Sequence, residues 1–237
     1  MTTTKLAVWV CTLVSMSGCM AVVQGNGVPR EETREVGLFE SIHVGHGFEA
    51  VATLGSPARV TLSGDENVLP YIAATVANGH LVVDAPDGTM LMTRIPVKVT
   101  LVSPTLTGVG ASGSSKVSAV ASPTETFTID ASGDSRITVQ GIAAERLVAG
   151  GSGLSRLDVA GTARVAEISL SGGSSVDGQH LAAEAVQLDG SGASSGMVRA
   201  SQQVTGQLSG ASHFTVLGRP PKLQVGTSGG STVQLAD

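Results

Sequence analysis

Apolar and polar residues alternate through the second half of this chain. Ile137 and Val139 are flanked by Arg136 and Thr138, and a comparable alternation returns about every 19 residues up to Leu235. An amphipathic helix would instead need apolar spacings of three and four residues. The pattern therefore predicts half-buried β-strands with one face directed outward.

A tetrapeptide, Ser-Gly-x-Ser, recurs between these predicted strands. Seven copies follow one another at spacings of 20, 20, 19, 20, 18 and 19 residues. Glycine adopts backbone conformations that are costly for other residues, so each copy is predicted to form a corner, with its serines stacked in ladders. Gly141, Gly161 and Gly218, each eight residues after a motif glycine, suggest a second corner. The seven corner glycines are Gly113, Gly133, Gly153, Gly172, Gly192, Gly210 and Gly229.

A unit of about 19 residues is too short to bury its apolar face alone, so neighbouring units must stack. We therefore predict an all-β fold in which residues 104–237 form a right-handed parallel β-helix, or solenoid, of about seven coils. The right hand follows from the strong bias of parallel crossover connections. Aromatic residues make up only 3% of the chain, which suffices because columns of stacked side chains replace a globular core.

Residues 36–103 also have a β pattern, but it does not repeat. We expect this region to form an N-terminal β cap that blocks edge-to-edge growth of the stack. Within it, Asn78-Gly79 is a strong hairpin signal. The segment from Asp65 to Leu69 is predicted to form one helical turn capped by the aspartate.

Residues 1–18 have the order of a secretory signal peptide. Lys5 precedes an apolar run from Leu6 to Val14, and small residues follow before Cys19. The nine positions of this run are too few for a transmembrane helix, which needs ~20. Met16-Ser17-Gly18-Cys19 resembles the bacterial lipobox and predicts lipidation of Cys19. The alternative is cleavage of an ordinary signal nearby, with Cys19 left free.

Residues 19–35 are predicted to be a tether between lipid and fold, because residues 24–35 are polar and rich in glycine and charge. Met20, rather than an aspartate, follows the cysteine, which by resemblance to enterobacterial sorting favours the outer membrane. The only cysteines, Cys11 and Cys19, precede the predicted fold, so packing alone must hold it together. We expect an exported protein attached to a membrane by its N-terminal lipid.

The charge balance excludes one class of partner. Lysine and arginine number 14 against 19 aspartates and glutamates, which gives a net charge of −5. Nucleic-acid-binding domains carry a basic patch or stripe as their electrostatic footprint. We therefore expect no nucleic-acid partner.

Candidate catalytic groups are sparse. Glycoside hydrolysis needs two carboxylates that face one sugar bond. Asp130 and Asp134 flank one predicted corner, whereas Asp158, Asp177 and Asp189 are expected on later coils without sharing a column. Scattered carboxylates of this kind are typical of a solubilising surface, so we predict no catalytic residue and no enzyme activity.

Metal ligation has similarly weak support. His43, His46 and Glu49 are close in sequence, but positions 43 and 46 of an extended strand point to opposite faces. His180 and His213 are isolated. We predict neither a metal site nor a cofactor.

Three stretches carry a family resemblance: Phe39–Val44, Val60–Ile72 and Val76–Val83, followed by the Ser-Gly-x-Ser coils. Together they resemble the family named putative auto-transporter adhesin head domain, or GIN domain, over about Val36 to Leu235. The resemblance implies a β-helical fold in bacterial envelope proteins that are often lipoproteins. The family is one of unknown function, and its name implies adhesion.

We therefore expect a non-enzymatic envelope lipoprotein that presents a flat polar surface for adhesion, scaffolding or contact with a protein or glycan partner. The alternative is a carbohydrate-binding or carbohydrate-active β-helix protein acting on cell-envelope or extracellular glycans. Carboxylates or aromatic rings clustered on one face would favour that alternative. The available rings, most of them expected in the core, are Phe39, Phe48, Tyr71, Phe127 and Phe214.

Overall fold

The computed structural model describes residues 21–236, so the predicted signal peptide and Cys19 lie outside the described residues. The described chain forms nineteen strands and one short 3-10 helix, Leu69–Tyr71, in agreement with the predicted all-β class. The strands are β1 Ala21–Gln24, β2 Pro29–Arg34, β3 Ser41–Val44, β4 Glu49–Leu54, β5 Arg59–Asp65, β6 Ala73–Ala77, β7 His80–Asp84, β8 Thr89–Met92, β9 Lys98–Ser103, β10 Gly108–Ala111, β11 Lys116–Val120, β12 Thr124–Ala131, β13 Arg136–Gly151, β14 Arg156–Leu170, β15 Ser175–Gly190, β16 Ser195–Leu208, β17 His213–Leu217, β18 Lys222–Thr227 and β19 Thr232–Ala236.

The repeats form a parallel β-solenoid, as predicted. β13 pairs in parallel with β12 on one side and β14 on the other, and β15 and β16 continue the series. In the strand segment after each motif, residues face their equivalents one coil on, for example Arg136 opposite Arg156 and Ile137 opposite Leu157. The register shifts after Val139, near the second corner. The stack has about six turns rather than the predicted seven, because seven corners bound only six complete coils between them.

Each Ser-Gly-x-Ser copy lies in a turn between two strand segments. The motif glycines have φ values from 68° to 78°, a left-handed conformation that glycine adopts without steric cost. Close stacking adds a second constraint, since a Cβ built on Gly153 would lie 2.6 Å from the carbonyl oxygen of Gly133 in the preceding coil. Within the long strands β13 and β14, Gly141 and Gly161 also have positive φ, which lets the chain bend there.

Columns of inward side chains fill the solenoid. Ile137, Leu157 and Val176 stack in register, and each is at most 3% exposed. Gly196 follows in the same column, where a Cβ would lie 2.5 Å from Cγ1 of Val176 and 3.1 Å from Cε1 of Phe214. The glycine therefore leaves room for the Phe214 ring in the next coil, which explains why the apolar pattern is interrupted at this position.

The N-terminal region continues the same two columns of strands. β3 and β4 pair in parallel with β10 and β11, and β7 and β9 pair in parallel with β3 and β4. β3 and β4 thus form one coil. β7 and β9 form the coil on its outer side, and β10 and β11 lie on its opposite side. The antiparallel strands β2, β5 and β6 complete this end.

Two local predictions in this region have different outcomes. β6 and β7 form an antiparallel hairpin across Asn78 and Gly79, whose φ values are 51° and 75°, as the Asn-Gly signal predicts. The helical turn predicted from Asp65 to Leu69 is wrong in its start, because the 3-10 helix begins only at Leu69 and no side chain caps it. Asp65 instead ends β5 and is buried, since its carboxylate has partners elsewhere in the chain.

The segment predicted to be a tether is folded over its described part. β1 pairs in parallel with β8, and β2 pairs antiparallel with β5. The prediction of a tether is therefore wrong for residues 21–34. The side chains of β2 are mostly exposed, so backbone pairing rather than an apolar face holds this strand, and its hydropathy pattern could not reveal it.

Candidate functional site

A column of cations runs along the outward face of the first strand segment in successive repeats. Lys116, Arg136 and Arg156 lie opposite one another in three consecutive coils and are exposed. Neighbouring strands of a sheet are about 4.8 Å apart, and like charges directly opposite each other are destabilising. We call these three residues the cationic ladder.

The charges of the ladder are only partly compensated within the chain. Lys116 is paired with Glu49, whose Oε1 lies 3.2 Å from the lysine Nζ. Within residues 21–236, no salt bridge involves Arg136 or Arg156. Two guanidinium groups are thus exposed side by side in a chain of net charge −5, which leaves them accessible to an external anion.

A shallow groove of about 490 Å³ runs beside the ladder. Its lining includes the variable position of successive Ser-Gly-x-Ser corners, and Leu154 at one of them is 68% exposed. The sequence contained a signal for this surface, since x is the only position of the motif at which residue types differ. The lining residues from that position are Ser114, Asp134, Leu154 and Gly173.

The structure corrects the prediction that the repeat carboxylates occupy separate columns. Asp158 and Asp177 lie directly opposite each other in adjacent coils. With Arg156 and Met197 they line a groove of about 340 Å³. An acidic pair therefore lies beside the end of the cationic ladder, on the same stretch of sheet.

The offset of each carboxylate from its corner explains this arrangement. Asp158 and Asp177 both lie five residues after their motif glycine, and stacked corners place equal offsets in register. Asp130 and Asp189, each three residues before a motif glycine, likewise share a column, with two intervening coils between them. Counting from the nearest corner would have predicted both alignments from sequence.

The motif serines divide into a buried and a more accessible set. The second serine of each copy from Ser115 to Ser212 is at most 2% exposed. The hydroxyl oxygens of Ser194 and Ser212 are 3.0 Å apart, and the Ser174 hydroxyl donates to the carbonyl of Gly151 at 3.2 Å. Within the described residues, the Ser155 hydroxyl is buried without a hydrogen-bond partner, whereas the other hydroxyls of this set bond to neighbouring groups. The first serine of each copy is the more accessible of the two.

A second groove, of about 550 Å³, follows the other corner and is lined by five alanines together with charged and polar side chains. Cations along it have partners within the chain. Nε of Arg164 is 2.8 Å from Oε2 of Glu145, and Nε of Arg199 donates to the carbonyl of Gln179 at 2.9 Å. This groove therefore offers less to an anionic ligand than the cationic ladder does.

The histidines considered for metal binding have separate protein partners. Nε2 of His43 lies 3.0 Å from the Ser112 hydroxyl, and Nδ1 of His46 contacts Oδ1 of Asp84. In the described part of the chain, no three histidine, cysteine, aspartate or glutamate side chains form a group that could hold a metal ion. Both histidines instead join the β3–β4 coil to the coils on either side of it.

A buried aspartate ties the N-terminal segment to the end of the solenoid. Asp65 accepts hydrogen bonds from the backbone N–H of Gly27 at 2.7 Å, of Arg94 at 2.8 Å and of Ile95 at 3.0 Å. Burial alone would raise the pKa of Asp65, but these three donors and the nearby Arg94 charge outweigh it and hold the pKa below its ordinary value. The ionised carboxylate can therefore accept all three bonds.

Asn67 extends this attachment. Its Nδ2 donates to the carbonyl of Gln24 at 2.8 Å, and its Oδ1 accepts from the N–H of Asn26 at 2.9 Å. We call Asp65 and Asn67 the N-terminal clamp. Both residues belong to the Gly64-Asp65-Glu66-Asn67 stretch, which lies within Val60–Ile72 and contributes to the family resemblance. The N-terminal clamp is therefore a structural role for this stretch.

Aromatic rings are not available on the faces of the repeats. Phe39, Phe48, Phe127 and Phe214 are each at most 3% exposed, in agreement with the expectation that most rings lie in the core. Tyr71 is 46% exposed, but it lies in the 3-10 helix of the N-terminal region. A sugar held against the repeats would therefore have to bind through polar groups rather than by stacking on a ring.

The fold and these surfaces define a class of protein: a parallel β-solenoid whose accessible chemistry lies on open strand faces and in shallow grooves. No helix among residues 21–236 has the length and apolarity to cross a membrane. The chain belongs to the family described as "Putative auto-transporter adhesin, head GIN domain", whose model matches residues 38–220. The resemblance noted in the sequence is thereby confirmed, and the adhesin-like family indicates an extracellular or envelope protein.

Several solved structures are similar to this chain over their full length. One, described as a putative adhesin from Bacteroides fragilis NCTC 9343, has a TM-score of 0.84 at 19% identity and covers 90% of this chain and 100% of its own. A second, described as a putative lipid binding protein from Parabacteroides distasonis ATCC 8503, has a TM-score of 0.71 at 14% identity, with 91% and 100% covered. A putative adhesin from Parabacteroides merdae ATCC 43184 has a TM-score of 0.64 at 18% identity, with 92% and 100% covered. The TM-scores show that these proteins share the fold of this chain. No curated protein matches the chain.

Proposed function

We propose that this chain is a non-enzymatic, lipid-anchored binding module of the bacterial cell envelope, acting in adhesion or in contact with an envelope partner. The cationic ladder is the observation that carries the proposal. Arg136 and Arg156 expose adjacent guanidinium groups beside a groove of about 490 Å³. Guanidinium groups bind carboxylates and phosphates through paired N–H donors. The adhesin descriptions of the family and of two similar structures support this role.

The anchor in this proposal is a lipid on Cys19, and the expected destination is the outer membrane. The Met16-Ser17-Gly18-Cys19 sequence supports lipidation. Mass spectrometry of the N-terminal peptide, from cells that express the full chain, tests it. We expect an acyl-modified Cys19 and no modification in the Cys19→Ala variant. An unmodified Cys19 at the new N-terminus would contradict the anchor, and separation of inner and outer membranes on a density gradient tests the destination.

A binding screen tests the cationic ladder. The soluble protein should begin at Ala21, because a later start would remove β1. It is screened on a glycan array and against cell-envelope fractions, beside a double variant with Arg136→Glu and Arg156→Glu. Arg164→Glu reverses one charge in the other groove and serves as the control.

We expect specific capture that the double variant loses and the Arg164→Glu variant keeps. Equal loss in both variants would assign the effect to total charge rather than to the ladder. Capture that survives in the double variant would place the binding surface elsewhere. No capture by any form would weaken the adhesive role and favour a passive structural one.

A second candidate function is carbohydrate binding or cleavage, and the pairing of Asp158 with Asp177 favours it. Two carboxylates adjacent in one groove are the minimum that glycoside hydrolysis requires. Release of reducing ends from envelope glycans is the discriminating measurement. Activity that is lost in both Asp158→Asn and Asp177→Asn would support an enzyme, whereas capture of a glycan without release would support the binding module.

A further inference from the structure

The ribbon formed by β1 and β8 carries large apolar side chains on both faces. Val23 and Leu91 lie opposite each other and pack against the core. On the other face, Val22 lies opposite Met90, with Met92 two residues further along. These three side chains, which we call the apolar patch, are 59%, 46% and 54% exposed. An exposed group of large apolar side chains on one short ribbon is typical of an interaction site.

The N-terminal clamp holds this ribbon in one orientation. The N–H of Gly25 donates to the carbonyl of Met92 at 2.8 Å, directly beyond the paired residues. Asp65 then accepts from Gly27, which follows β1, and from Arg94 and Ile95, which follow β8. Both strands are therefore fixed to the body of the protein at the same end. The direction of the apolar patch is set by the fold rather than by a flexible loop.

The chain that precedes β1 indicates what covers the patch. Cys19 comes two residues before Ala21, the first residue of β1, and each extended residue spans at most about 3.6 Å. Acyl chains on Cys19 would therefore enter a membrane within about 7 Å of the start of the ribbon. The surface of that membrane is the nearest large apolar phase available to the patch.

We infer that the apolar patch rests in the interfacial layer of the membrane that holds the lipid anchor. The inference rests on the proposed lipidation of Cys19. Interfacial elements bury their apolar face ~5–10 Å deep at the boundary of headgroups and acyl chains, and methionine adapts to irregular apolar surroundings. The folded β1 leaves no long tether, so the N-terminal end of the stack lies against the membrane and the coils project away from it.

The contact is apolar rather than electrostatic. Asp87, in the turn before β8, is exposed at the end of the ribbon nearest to Cys19, where the N–H of Ala21 donates to the carbonyl of Gly88. A carboxylate at that point would oppose attraction to anionic lipids. Salt screens exposed charges but leaves apolar contact in place, so the contact should persist at high ionic strength.

Fluorescence quenching of the acylated protein tests the inference. Met92→Cys and Leu235→Cys each introduce one free thiol, because Cys19 is acylated and Cys11 leaves with the signal. Leu235, in the last strand, is 55% exposed and is a matched control at the other end of the stack. The labelled proteins are reconstituted in vesicles of phosphatidylethanolamine and phosphatidylglycerol with brominated acyl chains. Because only an interfacial label reaches the bromines, we expect at least about threefold stronger quenching at position 92 than at 235.

The outcomes separate this inference from the anchor itself. In protein whose acylation is verified by mass spectrometry, equal quenching at positions 92 and 235 overturns the inference and leaves the anchor intact. Quenching at 92 that high salt abolishes overturns the apolar contact. Disulfide cross-linking of two Met92→Cys chains, without quenching, would assign the patch to a second copy and also overturn it. A Cys19 without acyl chains overturns the anchor and the inference together. Met90→Cys supplies an independent probe of the same face if the Met92 variant does not fold.

Discussion

The repeats and the N-terminal region form one continuous stack, but different kinds of contact hold the two regions together. In the repeats, equivalent glycines such as Gly133 and Gly153 stack directly, and every coil uses the same corner. In residues 21–103, strands occupy the stack out of chain order, and a few polar groups, above all Asp65, hold the irregular connections. The repeats are therefore held together by the same contacts at many equivalent positions. The N-terminal region depends instead on the contacts of a few single side chains.

The two regions also differ at the surface. Among residues 21–236, eight of the twelve exposed large apolar side chains precede residue 104, although that part is the shorter of the two. The repeats instead present mostly polar side chains, with four exposed exceptions at Val120, Leu154, Leu223 and Leu235. The proposed membrane contact at the N-terminal end would use three of these eight side chains, Val22, Met90 and Met92.

The largest expected effect comes from filling a stacked corner. Gly153→Ala adds a Cβ at a φ of 72° and only 2.6 Å from the Gly133 carbonyl oxygen, so both backbones must move. We expect a loss of about 2 kcal/mol or more in the free energy of unfolding, measured by urea denaturation. Gly150→Ala is the control in the same coil, because its φ is not positive and its nearest contact would be an ordinary 3.6 Å. Equal losses in the two variants would contradict the role given to the corner.

The next effect should be confined to the N-terminal region. Asp65→Asn replaces one of the acceptor oxygens with an NH₂ group that faces backbone donors, so the bonds to Gly27, Arg94 and Ile95 cannot all form. We expect faster amide hydrogen exchange in β1 and β8, with the central repeats unchanged. Asp87→Asn, in an exposed turn, should leave exchange as it is. Equally faster amide hydrogen exchange in all coils would show that the N-terminal clamp stabilises the whole stack rather than β1 and β8 alone.

Acid should weaken the same region first. Because the pKa of Asp65 is lowered in the folded protein, its contribution to stability is fully present above the unfolded value of about 3.9 and is lost as pH falls through the lower folded value. Unfolding measured between about pH 2 and pH 7 should show a smaller acid-induced loss in Asp65→Asn than in the unaltered chain. An identical pH dependence in both would argue against an ionised Asp65 in the folded state.

The smallest effect is expected on the surface of the repeats. Arg164 and Glu145 form an ion pair of 2.8 Å, but their side chains are 59% and 65% exposed. Arg164→Gln should therefore change the free energy of unfolding by less than about 1 kcal/mol. A larger loss in thermal or urea denaturation would mean that this groove stabilises the stack, and would make Arg164 unsuitable as the control for the cationic ladder.

Local and periodic features were the ones that could be predicted from the sequence. Strand alternation, the Ser-Gly-x-Ser corners and the Asn78-Gly79 hairpin depend on residues close together in the chain. The alignment of Asp158 with Asp177 could also be predicted, because each lies five residues after a motif glycine. The cationic ladder follows from the same rule, since Lys116, Arg136 and Arg156 each lie three residues after a motif glycine.

Features that depend on distant partners could not be predicted in the same way. The carboxylate of Asp65 binds backbone donors up to 38 residues away, and a capping role for it was equally consistent with its local sequence. β1 finds its partner in β8, with residues 25–88 between them. Nothing in the periodicity of a four-residue strand specifies such a pairing, so the sequence predicts a tether where the structure has a strand.

The sequence by itself determined the repeating part of this protein, because each coil contains all the features that specify it. These are alternating apolar and polar residues in the strands, a glycine at the corner, and a nearly constant length that aligns neighbouring coils. Only the tertiary structure decided the order of the N-terminal strands, the burial of Asp65 and the exposure of the apolar patch. These depend on which strands meet across long stretches of chain, and that choice follows from the free energy of the whole packed end rather than from any local pattern.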